Sequence, residues 1–257
     1  MLWSRDIVSP AEAEWATDGF QWLIERFGAE TFFDETRLVL PTRAFFDAPG
    51  GRSHATALAV FEQVRGHMGM ADWPCRLERQ TPDADTAVGD LALLRDAPAG
   101  PLGTFGVDDA SEVVITYNPA LLDRPLAFVA TMAHELAHYL LASEAEETPG
   151  GEALHELFTD LTVIACGFGV IELESGFETD SWEAGFMQGW SLSHVGYLSQ
   201  EMRAYALALF LRARAEDAVA AEAHLSDDKR RLLGRALRML DRDRWAVERL
   251  SSLRPAR

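Results

Sequence analysis

Apolar residues recur at helical spacing over most of this chain, and only a few short stretches look extended. From Pro10 to Phe27, Trp15, Phe20, Trp22, Leu23 and Phe27 supply the apolar positions of a helix. Ser53 is a suitable N-cap for a second helix through about Met68, on Leu58, Val60, Phe61 and Val64. Arg37 to Leu40 reads as a short strand stopped by Pro41, and further short strands are expected around Cys75 to Glu78 and Asp90 to Leu94. Glu112 to Tyr117 is the clearest strand, being β-branched and aromatic.

Beyond Asn118-Pro119 the pattern turns helical. Phe128, Val129, Met132, Ala133, Leu136, Leu140 and Leu141 describe a buried helix from Pro125 to Leu141. After the turn at Pro149-Gly150-Gly151, a second buried helix runs from about Glu152 to Cys166, and Gly167 and Gly169 are expected to end it. A Gly- and Trp-rich loop covers Ser175 to Trp190, and helices follow at about Ser199 to Glu216 and Ser226 to Leu253. There is no internal repeat and no linker long enough to force independent domains. The expected fold is α+β, with a small mixed sheet in the N-terminal half packed on a mostly helical C-terminal half. It forms one domain over residues 1–257, with an α/β lobe at about 1–118 and a helical lobe at about 119–257.

At 257 residues and 48% apolar, the chain can bury a core without disulfides or a structural metal. Met1 to Trp15 carries Arg5, Asp6, Glu12 and Glu14 and no apolar h-region, so no signal peptide is expected. No run of about 18 apolar residues stands out, so no membrane span is expected either. Cys75 and Cys166 are the two cysteines, which fits reduced thiols and a cytoplasmic location. Cys166 follows Val163-Ile164-Ala165 and reads as core.

The net charge of -18 is unevenly spread. No Lys or Arg lies between Arg124 and Arg203, a stretch with thirteen acids, whereas Lys229 to Arg257 carries ten bases against Asp241, Asp243 and Glu248. An acidic middle concentrates cations and repels phosphate backbones, which argues against a nucleic-acid partner there. The basic tail reads as a solvated helix face.

Inside the acid-rich stretch lies His134-Glu135-Leu136-Ala137-His138. Residues four apart on a helix share a face, so the two imidazoles converge on one point, where zinc binds nitrogen at about 2.0–2.1 Å. Glu135, about 100° around the helix, can reach a water on the metal without competing for it. Zinc lowers the pKa of such a water towards about 7, and a carboxylate can then take its proton. Catalytic zinc also needs a third protein ligand and an open position. The second helix offers Glu156 and Asp160, again four apart, and His155 as a competitor. His155 and Asp160 are about 140° apart around the helix, so only Glu156 as ligand leaves Asp160 able to accept the free N–H of a motif histidine. On this reading His155→Ala should barely matter.

His-Glu-x-x-His followed by Glu-x-x-x-Asp on the next helix resembles the gluzincin metallopeptidases, the thermolysin-like clan. The resemblance covers about residues 112–170. It implies a zincin-like fold and one zinc per chain held by His134, His138 and Glu156, with Asp160 supporting a ligand histidine, His134, and Glu135 as general base. Residues 139–155 separate His138 from Glu156, a short spacing for the clan that suggests a minimal version. His155 to Leu161 and Gly196 to Ser199 also resemble a set of uncharacterised bacterial proteins with this motif.

Clan members stabilise the oxyanion with a Tyr or His and often use an Arg on the substrate. Here the candidate oxyanion donors are His194 and Tyr197, each of which reads more simply as a capping or packing residue. Arg203, a single arginine on a helix, reads as solvated, Tyr139 as core, and His54, His67 and His224 as structural or surface residues. The expected activity is zinc-dependent hydrolysis of a peptide or protein substrate, bound along the edge of the Val113 to Tyr117 strand. The alternatives are a regulatory protein of this motif acting on one dedicated partner, and a non-catalytic metal-binding module.

Overall fold

The structure is a computed structural model that describes residues 6–80, 102–108, 110–144, 148–175 and 197–256. The expected strand at Asp90 to Leu94, nearly all of the Gly- and Trp-rich loop, and His194 lie outside these residues.

The first helix, α1 (Pro10–Phe27), opens on a capping box. Ser9 Oγ accepts from the Glu12 N–H at 3.2 Å and Glu12 Oε2 accepts from the Ser9 N–H at 2.7 Å. Ala13, Ala16, Phe20, Leu23 and Ile24 form its buried stripe. Ser53 caps α2 (His54–His67) through the Thr56 N–H at 3.1 Å. Between them a single π-helical turn covers Thr31–Glu35.

Arg37 to Leu40 does not form a strand. Among the described residues no neighbouring strand meets it; the Val39 N–H donates to the Gly167 carbonyl at 2.9 Å, and the Val39 side chain is fully buried. Its apolar character reflects burial and not pairing.

Among the described residues three strands make one sheet: β1 (Arg76–Arg79), β2 (Gly103–Val107) and β3 (Val113–Tyr117), in the order β1-β3-β2. β1 runs parallel to β3 and β2 antiparallel to it. The order corrects the expectation for Val113 to Tyr117: β3 is central, both its edges are hydrogen-bonded, and it has no edge left for a peptide. Among the described residues β2 is a border strand instead.

Helix α3 (Pro125–Ala142) packs on the sheet and on α2. Pro125 occupies its first turn, and the buried side runs from Phe128 through Leu141. The next helical run begins with a 3-10 turn and continues as α4 (His155–Val163). The glycines do not end this run. Gly167, at φ 94°, bends it within a π-helical turn at Ile164–Phe168, and it resumes as α5 (Gly169–Ser175). The whole run, Glu152–Ser175, is long enough to cross a membrane and has a mean hydropathy of 1.5 over its most apolar window, so an apolar run of that length does exist. Of that window, 78% is buried inside the protein, which accounts for its composition.

The bend is demanding. A side chain at Gly167 would need a left-handed backbone, and its Cβ would collide with the Arg37 carbonyl. Gly167→Ala is therefore expected to destabilise the fold by about 2 kcal/mol or more, from backbone strain and overpacking together. A urea titration with unchanged slope and a lowered midpoint would report it; an unchanged midpoint would show that the bend has another conformation open to it.

Helices α6 (Gln200–Arg214), α7 (Asp227–Arg242) and α8 (Trp245–Ser251) complete the described chain. The expected helix to Leu253 breaks at Asp243, which is extended at φ -125°, ψ 102°. Two buried clusters result. One joins α2, α3 and the sheet; the other joins α1, α4, α6, α7 and α8, so the first helix packs with the last ones. The α3–α4 contact lies where the two clusters meet and carries the motif residues.

Candidate metal centre

α3 and α4 bring His134, His138 and Glu156 together. One ligand atom from each lies within 4.8 Å of the others. The edges of this triangle are His134 Nε2 to His138 Nε2 at 3.0 Å, His134 Nε2 to Glu156 Oε2 at 3.2 Å, and His138 Nε2 to Glu156 Oε2 at 3.4 Å. Tetrahedral zinc with bonds of about 2.0–2.1 Å requires ligand atoms about 3.3 Å apart. The donor set therefore fits such an ion in both type and spacing.

The ring orientations are fixed from behind. His134 Nδ1 lies 3.0 Å from Asp160 Oδ1; an ionised carboxylate only accepts, so the proton sits on Nδ1 and Nε2 faces the triangle. His134 and Asp160 are both buried. His138 Nδ1 lies 3.3 Å from His155 Nε2 and 3.5 Å from Thr159 Oγ1, whose hydroxyl donates to the His155 carbonyl at 2.9 Å. Burial, then the charge of His138, holds His155 below the ordinary histidine range, which suits a neutral ring that accepts.

His155 thus stands beside the triangle and not in it. Its ring stacks on His138 with centroids 5.2 Å apart and planes 29° from parallel. The contact gives His155 an orienting role that the sequence reading did not assign to it. His155→Ala should weaken zinc binding by about 10-fold or more, the scale of losing a partner that orients a ligand. Chelator competition measures this, and an unchanged affinity would mean that Thr159 alone orients His138.

The electrostatics favour a cation. Burial opposes a charge on His134, but its hydrogen bonds to Asp160 and Glu156 outweigh that and raise the imidazole to about 10. Hydrogen bonds from His134 and His138 hold Glu156 far below the usual carboxylate range. A positive charge, as proton or metal ion, is stabilised where the two Nε2 atoms meet.

A hollow of about 370 Å³ opens over the triangle, lined by Gly103, Phe105, Glu135 and Tyr197 as well as the three donors. Glu135 is 7% exposed, and burial pushes its carboxyl up, with the two histidines opposing. The Phe105 N–H bonds to it. Gly103 permits this closeness: a Cβ there would lie 2.7 Å from Thr131 Cγ2 and 3.0 Å from Glu135 Oε1. The Tyr197 ring lies 5.7 Å from that of His134, and burial, then the Glu156 charge, pushes its hydroxyl up to about 12. His194 lies outside the described residues.

Arg203 is not solvated. It is 1% exposed and reaches Asp160 Oδ2 at 3.4 Å and Glu172 Oε1 at 3.5 Å. The missed signal was its setting: Met202, Ala204, Tyr205, Ala206 and Leu207 surround it, and a helix apolar all round is buried. Glu172, within Val170-Ile171-Glu172-Leu173, carried the same signal.

The remaining polar groups read as structural. Tyr139 donates to the Pro74 carbonyl at 3.2 Å and packs against Trp73 and Phe105. His67 bonds the Phe45 carbonyl at 2.9 Å, and His54 pairs with the Tyr117 hydroxyl at 3.1 Å. Half-buried Cys166 lines a separate, largely apolar cavity of about 430 Å³ between α1 and α2, and burial pushes its thiol up to about 12.

Comparison with protein-family models, with curated proteins and with solved structures finds no match to this chain.

Proposed function

We propose that this chain is a zinc-dependent peptide hydrolase of the gluzincin type, with a zincin-like fold. The observation that carries the reading is the triangle of His134, His138 and Glu156, with edges of 3.0–3.4 Å and Asp160 behind His134. These residues would hold one zinc per chain, which when bound polarises a carbonyl and makes a water acidic enough to lose its proton near neutral pH.

The chain's own groups supply the rest. Glu135, buried beside the triangle, takes the proton from the attacking water and returns it to the leaving amine. Tyr197, held protonated by its surroundings, donates a hydrogen bond to the oxygen on which negative charge develops.

The substrate is a peptide in extended form along β2. Leu102 O and the Asp108 N–H are spent on β3, so Gly103, Phe105 and Val107 face the other edge, which borders the hollow; Glu135 takes the Phe105 N–H, which leaves the Gly103 and Val107 groups and the Phe105 carbonyl for a peptide. The test is cleavage of a mixed peptide library by the zinc-loaded protein, read by mass spectrometry. Cleaved products that disappear on chelation are expected; zinc-loaded protein that cleaves nothing would sink the hydrolase reading and leave a metal-binding module.

A further inference from the structure

Asp160 contacts more than His134. Its Oδ1 faces the ring at 3.0 Å, while its Oδ2 accepts the Leu198 N–H at 2.9 Å and faces Arg203 Nη2 at 3.4 Å. Leu198 follows Tyr197 directly. Ser199 then caps α6 by accepting the Met202 N–H at 3.2 Å, which sets Arg203 in the first turn. Arg203 Nε in turn lies 3.5 Å from Glu172 Oε1 on α5.

Asp160, Glu172 and Arg203 are 0%, 0% and 1% exposed. Taking such groups out of water is costly, and apolar replacements of similar volume are often at least as stable. Packing alone gives no reason for this trio. Nor is the outer pair held for hydrogen bonds of its own: both Glu172 oxygens, and Nε and Nη1 of Arg203, are buried without a hydrogen-bond partner among the described residues. What the pair offers is a cation held at a set place against Asp160.

We propose that Arg203, seated on Glu172, is a positioning residue of the metal centre: it fixes Asp160, and through that one carboxylate both the ring of His134 and the chain at Tyr197. The proposal rests on the metal reading above. It makes α5 and α6 outer walls of the site, although neither carries a ligand.

The test is zinc affinity by chelator competition, together with the visible spectrum of the cobalt-loaded protein, which reports ligand geometry without a substrate. Arg203→Met/Glu172→Leu removes both partners at once and leaves no unpaired arginine. It is expected to melt within a few degrees of wild type, to bind zinc about 10–100-fold more weakly, and to shift the cobalt bands. Arg203→Lys keeps the charge but loses the planar fork, and should give a smaller loss in the same direction. Folded variants with wild-type affinity and unchanged bands would overturn the proposal. If the double variant does not fold, Arg203→Lys decides alone, and wild-type affinity and spectrum there would overturn it. Wild-type protein that takes up neither zinc nor cobalt would overturn the metal reading itself, and this proposal with it.

Discussion

Glu156→Ala is expected to release zinc from a protein that, purified without chelator, carries about one ion per chain. Three donors meet in the triangle, and Glu156 is the one whose side chain is 46% exposed, against 5% and 16% for His134 and His138. Its removal disturbs little packing, so the loss can be read as lost ligation. It should exceed the about 10–100-fold that an orienting partner is worth. Asp160→Asn, which keeps an acceptor near His134 Nδ1, should stay within that smaller range. Emission spectrometry gives the stoichiometry and chelator competition the order of the two variants. Full zinc content in Glu156→Ala would remove it from the ligand set, and a larger loss in Asp160→Asn would reverse the two roles.

Glu135→Gln should keep zinc and lose nearly all turnover. The amide is close in shape to the carboxylate, and the site is tight, with Gly103 against its side chain, so the fold and the ligands should stay in place. What is lost is the base. Removing a positioned general base costs typically about 10²–10⁴-fold. Once the peptide screen yields a substrate, turnover under saturating zinc measures the effect. A rate near wild type in a zinc-loaded Glu135→Gln protein would rule out the proposed role and direct attention to Tyr197 or Glu156.

Much of this arrangement was legible in the sequence because helices announce themselves. α3 is apolar on every turn, so the two histidines had to sit on a buried element, and the four-residue step placed both on one side. The preference for Glu156 over His155 rested on the same step to Asp160, and the structure puts His155 beside His138 and outside the triangle. The strands were less legible. Gly103-Thr104-Phe105-Gly106-Val107 contains two glycines and few β-branched residues, so composition did not mark β2, although its backbone approaches Glu135 most closely. Which strand lies at a border depends on pairing between distant segments, and no local pattern encodes it. Gly167 was misread for a related reason: a left-handed glycine commonly stops a helix, but here the chain after it finds a second packing surface on α6 and continues. Arg203 was misread by being taken singly, without the apolar residues on either side of it.

The position of Arg203 also bears on how the protein assembles. Asp160 and Glu172 belong to a stretch with no base of its own, and the cation they share comes from 43 residues beyond Asp160. Joining ends so far apart costs loop-closure entropy before any contact returns it. The α3 and α4 helices can therefore bring their histidines and glutamate close before α6 has docked, when Asp160 has His134 but not yet Arg203 as a charged partner. Docking of α6 therefore supplies the last fixed partner of Asp160, and a chain cut before Arg203 is expected to bring the three donors together with His134 less firmly aligned.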